Sequence, residues 1–282
     1  MAAIDGNTLE GVSATTLWTL HNRATEAARP GGQLADPLAV ELYRSIDYDY
    51  LKFGKPNQSH ALRALAFDTV AADYLLEHPK ASVVALAEGL QTSFWRLDAA
   101  GLVDDVTWYS VDLPPVMALR DQLLPRDDRI VNLAQSALDY RWMDLVDASH
   151  GVFISAEGLL MYLQPQQALG LIAECAQRFP GGQLMFDSIP SWLSNRTLKG
   201  LKLSDRYRTP PMPFGLDVDE AVTLAETIPG VQAARDIPHI PGRGVFKWLA
   251  WSPLDRIGPL RRRRPGLTVL DFASARPADA GR

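Results

Sequence analysis

Two acidic residues, Glu88 and Asp112, are candidates for binding a ligand, because each lies at the end of a short apolar run. The first run, residues 83–86, leads into a turn at 87–89, where glycine lets a ligand approach the backbone. The second run ends in Asp112, about 20 residues later, a spacing at which a carboxylate accepts hydrogen bonds from ribose hydroxyls. We therefore predict a nucleotide site here. Its predicted contacts are Ala87, Glu88, Gly89, Asp112 and Leu113.

Two later strand ends supply further candidates. Ser136, Ala137 and Asp139 follow a predicted strand at 129–134, and Glu157 follows one at 151–156. Parallel sheets bind ligands at the carboxyl ends of their strands, so these residues are expected to share one edge. Glu157 is expected to face the reacting atoms, because the fourth strand of such a sheet lies beside the first.

Tyr162 follows shortly after Glu157 and carries a hydroxyl that is able to contact a substrate bound at this edge of the sheet. The alternative is ordinary aromatic packing with a satisfied hydroxyl.

These residues require a sheet to position them, and the apolar pattern predicts one. Seven short apolar runs alternate with helical patterns. The predicted strands lie at 83–86, 107–111, 129–134, 151–156, 183–187, 231–237 and 267–272. The predicted fold class is α/β, a doubly wound, mostly parallel, seven-stranded Rossmann-like sheet.

The predicted architecture places this sheet in one large domain with an N-terminal cover and an insertion. Residues 1–60 read as an N-terminal helical cover, and residues 61–282 as the main domain. An insertion at about 190–215 is too long for an ordinary connection and is expected to form a lid. Within it, Arg206 and Arg208 are predicted to orient a bound substrate through their positive charges.

Composition narrows the classes of function. The chain has 282 residues, of which 47% are hydrophobic and 22% charged, as in a globular protein. A net charge of -5 argues against a nucleic-acid partner. The single cysteine, Cys175, fits a reducing cytoplasm and is expected to be inert in the core. No membrane-spanning run, secretion signal, metal-ligand cluster or hydrolase elbow is found, so a cytoplasmic protein without a metal site is expected.

Four ordered blocks resemble a known family: ALAEGLQTSFWRLD, YSVDLPPVMALRDQLLP, SALDYRWMDLV and AEGLLMYL. They are similar to those of the leucine carboxyl methyltransferase-like family, class I S-adenosylmethionine-dependent methyltransferases, and most similar to its bacterial branch. The family usually has glycine at Ala87 and often an acid at Gln91; loss of the glycine is expected to tighten the turn and weaken cofactor binding.

The resemblance implies roles for individual residues. Arg63 would hold the carboxylate of S-adenosyl-L-methionine, for which its planar fork is suited; the alternative is a surface salt bridge. The region of Ser136 and Ala137 would flank the adenine. Asp139 would either accept a hydrogen bond from the adenine amine or cap the following helix.

The expected activity is methylation of an oxygen, either a carboxylate or a phenolic hydroxyl, on a small molecule such as a polyketide-type metabolite. A carboxylate needs no general base, and no histidine–acid pair in the sequence indicates one. Methylation of a protein carboxyl terminus is open within the same family.

Two further classes of function also stay open on the sequence. One is a nicotinamide-dependent oxidoreductase, although the turn lacks the glycines of GxGxxG. The second is a non-catalytic nucleotide-binding protein that keeps the fold, since a fold does not fix a function. The acceptor and the oligomeric state are not determined by the sequence.

Overall fold

The computed structural model describes residues 4–247 and 258–274. A central sheet contains seven strands, and two strands of two residues each pair separately. The strands are Ile4–Asp5 (β1), Ile46–Asp47 (β2), Ser82–Leu86 (β3), Thr107–Asp112 (β4), Ile130–Ala134 (β5), Val152–Ala156 (β6), Gln183–Ser188 (β7), Val231–Asp236 (β8) and Gly266–Phe272 (β9).

Helices flank both faces of this sheet. They are Thr15–Ala27 (α1), Pro37–Ser45 (α2), Ser59–Glu77 (α3), Ser93–Asp98 (α4), Pro114–Leu123 (α5), Pro165–Arg178 (α6), Ser191–Leu198 (α7), Val218–Val222 (α8), Leu224–Thr227 (α9) and Gly258–Arg261 (α10). Single turns of tighter helix lie at Gly6–Thr8, Tyr50–Phe53, Tyr140–Leu145 and Leu160–Tyr162.

The strand order confirms the predicted fold class. The central sheet runs β5-β4-β3-β6-β7-β9-β8, and only β9 is antiparallel to its neighbours. All five residues of β3 are buried. Val84 and Leu86 pack with α6 on one face, whereas Val83 and Ala85 pack with α3 on the other. A strand buried on both faces needs the continuous apolar run seen in the sequence.

The first two helices are joined to α4 by buried charges. Arg23 is fully buried and donates to Asp36 at 2.9 Å and to Thr92 at 3.0 Å. Asp36 also accepts from Arg96 at 2.8 Å, and Arg96 donates in turn to Asp68 at 2.6 Å. Removing one partner of such a buried pair costs about 3–5 kcal/mol, so this network fixes the N-terminal helices against the turn that follows β3.

A second connection joins α1 to the segment after β8. Glu26 accepts from Arg243 at 2.9 and 2.5 Å and from Gln58 at 3.1 Å. Arg243 also donates its backbone N–H to Gln58 at 2.7 Å. This segment is thereby held beside α1 and α3.

Segment 190–215 contains α7 and then folds back on itself. Met212 accepts from Ser194 at 2.7 Å, and its N–H donates to Thr197 at 2.9 Å. Ser204 donates to Lys52 at 2.5 Å, so the segment docks on residues 46–58. Residues 46–58 place Tyr50 and Phe53 in a buried cluster.

The structure differs from the sequence predictions in smaller elements. The helical sequence pattern of residues 217–228 predicts one helix, but the helix is interrupted at Thr223, which separates α8 from α9. The aromatic and apolar sequence of residues 245–254 predicts a short buried helix, and that stretch lies mostly outside the described residues. Across residues 4–247 and 258–274, no helix combines the length and hydropathy of a membrane span.

Candidate functional site

A cavity of about 690 Å³ opens at the carboxyl edge of the sheet. Its walls include the loops after β3, β4, β5 and β6, together with parts of α1, α3 and α7. Small-molecule sites have volumes of roughly 300–1,000 Å³, so the cavity fits a cofactor with an acceptor.

The turn at 87–89 forms one wall of the cavity. Ala87 has φ +51°, a left-handed conformation that is unfavourable for any residue with a Cβ. Gly89 has φ +60°, and a Cβ there would overlap the Thr16 hydroxyl. Thr16 in turn accepts from the Leu90 N–H at 2.7 Å. The glycine is therefore required at 89, whereas at 87 the alanine carries the strain.

Glu88, the middle residue of this turn, stabilises it through buried contacts of its carboxylate. Its carboxylate forms an ion pair with Arg120 at 2.7 Å and accepts from Trp108 at 3.2 Å and from Ser110. Arg120 also donates to the Gly89 carbonyl at 2.6 Å. Because all these donors converge on a buried group, we assign to Glu88 the shaping of the turn.

Asp112 lies on the cavity wall as the last residue of β4. One carboxylate oxygen accepts from the Gly89 N–H at 2.7 Å, and the other accepts from the Leu113 N–H at 2.7 Å. Burial raises the pKa of Asp112 above its usual value, while these two N–H groups oppose that shift. The bonds fix the carboxylate beside the turn, where each oxygen keeps a second acceptor position.

Ser136 and Ala137, after β5, also line the cavity, but Asp139 does not. The Asp139 carboxylate caps the helix Tyr140–Leu145 by accepting from the Arg141 N–H, and it pairs with the Arg141 side chain at 2.5 Å. Of the two roles considered for Asp139, this position corresponds to the capping one, so we do not place Asp139 among the cofactor contacts.

Arg63 joins α3 to two strand ends across the cavity. Its Nε donates to Glu157 at 3.0 Å, and its Nη1 donates to Asp187 at 2.8 Å. Glu157 also accepts from Gln91 at 2.8 Å, and Asp187 accepts from the Gly158 N–H at 2.5 Å. Burial disfavours the Arg63 charge, but the two carboxylates outweigh it and raise the pKa of Arg63. This network lines the cavity, with the Nη2 edge of Arg63 close to Gly158.

Tyr162 lies on the cavity wall close to Arg63. Burial raises the pKa of Tyr162 to about 12, although a hydrogen bond with Thr15 and the charge of Arg63 oppose the shift. The phenol therefore remains protonated near neutral pH and can donate a hydrogen bond.

Arg206 and Arg208 lie outside the cavity walls. Arg206 pairs with Asp49 at 2.7 Å, and the side chains of both partners are more than half exposed. Arg208 is also exposed. The expected steering of an acceptor by these two arginines therefore has no counterpart in the structure. Segment 190–215 instead contributes Leu193, Thr197, Leu201, Leu203, Thr209 and Met212 to the cavity.

Sequence reasoning missed His60 and Asn22. His60 lies on the cavity wall, and its Nδ1 is 2.6 Å from the amide nitrogen of Asn22. The signal was the spacing of His60 and Arg63, which are three residues apart and so share a helix face. His21 lies in a helical sequence pattern that favours a partly exposed histidine, but the structure buries it between Tyr43 and Tyr50.

The arrangement fits S-adenosyl-L-methionine. Asp112 presents acceptor oxygens for a ribose beside the turn at 87–89, where a Cβ at Gly89 would crowd Thr16. Charged groups of both signs, Arg63 and Glu157, stand further along the same wall, as an amino-acid end requires. Among the described residues, no group of three histidine, cysteine, aspartate or glutamate side chains is arranged to hold a metal ion.

Comparisons with known proteins place the chain in a family. The family model for leucine carboxyl methyltransferase matches residues 16–176. The tetracenomycin polyketide synthesis O-methyltransferase TcmP of Streptomyces glaucescens is 32% identical over 250 residues, covering 86% of this chain and 90% of TcmP. The tRNA wybutosine-synthesizing protein 4 of Rattus norvegicus is 30% identical over 130 residues, 36% of this chain and 19% of that protein.

Solved structures include two methyltransferases of low sequence identity. A putative methyltransferase from Thermobifida fusca is 16% identical, with a TM-score of 0.46, and the match covers 80% of this chain and 93% of that one. Human N-acetylserotonin methyltransferase, solved in complex with SAM, is 11% identical, with a TM-score of 0.44 and coverage of 93% and 67%. The family match and the relative of similar length carry the assignment: the chain belongs to the leucine carboxyl methyltransferase family and is an S-adenosyl-L-methionine-dependent O-methyltransferase.

Proposed function

We propose that this methyltransferase esterifies a carboxylate on a small, largely apolar molecule. The proposal rests on one observation: the carboxylates that line the cavity already form ion pairs or hydrogen bonds with other groups of the protein. Glu88 and Asp112 are bound by the turn and its supports, and Glu157 and Asp187 are bound by Arg63. A phenolic hydroxyl would profit from a base to remove its proton, whereas a carboxylate is already a nucleophile at neutral pH.

The cofactor contacts follow from the cavity walls. Asp112 accepts from the ribose hydroxyls, with Leu113 and the turn at 87–89 beside them. Ser136 and Ala137 flank the adenine, because they follow β5 at the same edge. Arg63 and Glu157 hold the carboxylate and the ammonium of the amino-acid end. The Nε and Nη1 groups of Arg63 fix its plane. We assign its Nη2 group to the ligand carboxylate.

When bound, S-adenosyl-L-methionine supplies an electrophilic methyl group, so the chain needs to align the acceptor and exclude water. Segment 190–215 serves this purpose by covering the cavity with apolar side chains such as Leu193, Leu201 and Met212. We propose that this segment is the lid and that it selects acceptors with extended apolar surface. The relative TcmP, named for polyketide synthesis, supports an aromatic, polyketide-type acid as the acceptor.

The test is methyl transfer from methyl-labelled cofactor to a panel of acceptors, followed by mass spectrometry. The panel pairs each aromatic carboxylic acid with the phenol of the same ring system, and it includes a peptide with a carboxyl-terminal leucine. A methyl ester is recognised because mild alkali releases its label as methanol, whereas an aryl ether resists. Labelled esters of the small acids support the proposal. Label confined to alkali-stable ethers, or to the peptide, contradicts it.

A binding control separates the cofactor site from the acceptor. Asp112→Ala is expected to weaken S-adenosylhomocysteine by about 1–3 kcal/mol, because the donors it serves lose their partner. Isothermal titration measures this directly, and unchanged affinity in a folded variant removes Asp112 from the site. No comparison supports an oxidoreductase or a non-catalytic binding protein, and titration with a nicotinamide cofactor provides the corresponding negative control.

A further inference from the structure

The hydrogen bonds of Asn22 determine which nitrogen of His60 carries the proton. The Asn57 N–H donates to the Asn22 amide oxygen at 3.0 Å. The amide orientation is therefore fixed, and the NH₂ group faces the His60 Nδ1 atom at 2.6 Å. An NH₂ group only donates, so Nδ1 must accept, and the neutral ring then carries its proton on Nε2.

The surroundings keep this ring neutral. His60 is 8% exposed and packs at right angles to the ring of Trp18, with ring centroids 4.8 Å apart. Burial lowers the pKa of His60 well below its usual value, and the positive charges of Arg63 and Arg23 lower it further. Of these, Arg63 lies on the same helix and Arg23 on α1.

The charges near the ring are themselves paired. Arg63 is bound by Glu157 and Asp187, and Arg23 by Asp36. None of these carboxylates is a hydrogen-bond partner of the ring, and within the described residues Nε2 has no partner. His60 lies on the cavity wall, so a ring with Nδ1 satisfied and its proton on Nε2 offers the cavity a donor and no free acceptor.

We propose that His60 donates its Nε2–H to one oxygen of the acceptor carboxylate and that Asn22 is the positioning residue that fixes this tautomer. The inference rests on the proposed function. A carboxylate has two oxygens, so one can be held by Nε2–H while the other attacks the methyl group. A phenolate has a single oxygen, and a donor bound to it would reduce its nucleophilicity. The pair therefore favours carboxylates over phenols.

Asn22→Asp is the decisive variant because it preserves shape and reverses the hydrogen bond. The carboxylate still accepts from the Asn57 N–H, but it now also accepts from His60, so the proton moves to Nδ1 and Nε2 becomes an acceptor. We expect kcat/KM for an aromatic acid to fall about 10- to 100-fold near pH 8. Activity should recover toward lower pH, because the imidazolium formed beside the new carboxylate again carries Nε2–H.

Three controls isolate this effect. The wild-type rate is expected to vary little with pH over the same range, since the ring stays neutral. Gln177→Glu makes the same amide-to-carboxylate change on the exposed surface of α6, away from the cavity walls, and is expected to leave the rate and its pH profile unchanged. The dissociation constant of S-adenosylhomocysteine should stay within about threefold in Asn22→Asp, a difference below 1 kcal/mol.

His60→Gln, which keeps a terminal N–H donor, should retain more activity than His60→Leu. Nitrogen-15 NMR of the wild-type protein with bound S-adenosylhomocysteine provides a test without any variant, and it should show His60 protonated at Nε2. Protonation at Nδ1 would overturn the proposal.

The outcomes distinguish the two levels of inference. If the wild type esterifies acids and Asn22→Asp does so with the same rate and pH profile, the donor role of His60 is refuted and the proposed function stands. If the wild type binds S-adenosylhomocysteine but methylates only phenols, the proposed function fails, and the inference fails with it.

Discussion

Ala87→Gly tests whether the turn of the cofactor site stores backbone strain. Ala87 has φ +51°, in the left-handed region that costs a residue with a Cβ about 1–2 kcal/mol. Glycine removes this cost but adds about 0.4–1 kcal/mol of chain entropy to the unfolded state. The net expectation is a stabilisation of about 0.5–1 kcal/mol, which corresponds to a rise in Tm of about 1–3 °C in a protein of this size.

Ala156→Gly is the matched control, because Ala156 is buried at the end of the neighbouring strand β6 without a positive φ. It loses a buried methyl group, worth about 0.8 kcal/mol, as well as chain entropy. Differential scanning calorimetry should therefore give opposite signs for the two substitutions. A fall in Tm for Ala87→Gly similar to that of the control would refute the strain argument.

The same variant settles the expected effect of Ala87 on the cofactor. The turn keeps its left-handed conformation despite the alanine, and Ala87 donates its N–H to Val111 at 2.8 Å. The geometry offered to the ligand is then already that of a glycine turn, so Ala87→Gly should change the dissociation constant of S-adenosylhomocysteine by less than about threefold. A larger gain in affinity would mean that the alanine itself restricts binding.

Three further outcomes are expected. Gly89→Ala combines a positive φ with overlap of the Thr16 hydroxyl and should lower the free energy of unfolding by about 2–4 kcal/mol and abolish S-adenosylhomocysteine binding, measured by denaturant titration and calorimetry. Burial opposes ionisation of Asp36, but its arginine partners outweigh burial and hold its pKa below the usual value. Asp36→Asn should therefore lower the free energy of unfolding by about 3–5 kcal/mol at neutral pH. Urea denaturation at several pH values should show this difference from the wild type shrinking as the pH falls below about 4. Burial raises the pKa of the Cys175 thiol, so a thiol reagent should label it in urea and leave it unlabelled in the folded protein, whereas rapid native labelling would contradict its core position.

The parts of the site predicted from the sequence depend on short-range patterns. Ala87, Gly89 and Asp112, which line the cavity, were predicted because an apolar strand, a turn and an acid follow one another within one unit of the fold. Residues at the carboxyl ends of β5 and β6 were predicted by the same rule, since parallel strands bring those ends to one edge. Asp139 fulfilled the rule in sequence but turned away to cap a helix, because Arg141 lies two residues beyond it.

The parts that were missed depend on pairs that are distant in sequence. Asn22 and His60 are separated by 38 residues, and nothing local indicates that α1 and α3 meet at these positions. The burial of Arg23 likewise depends on Asp36, whose local role is only that of the N-cap of α2. For Arg206, composition indicated a cationic segment, but only the fold shows that the charge lies on the outer side.

The ion pair between Glu26 and Arg243 constrains the order in which the site is completed during synthesis. These residues are 217 positions apart. At about 5–20 residues per second, a ribosome adds Arg243 some 10–45 s after Glu26. Until then α1 lacks this ion pair, although it contributes Thr15, Thr16 and Trp18 to the cavity wall. The wall of the site that is translated first thus gains this support only after residue 243 has been added, and a fragment that ends before Arg243 lacks one of the contacts that hold α1 at the methyl-donor cavity.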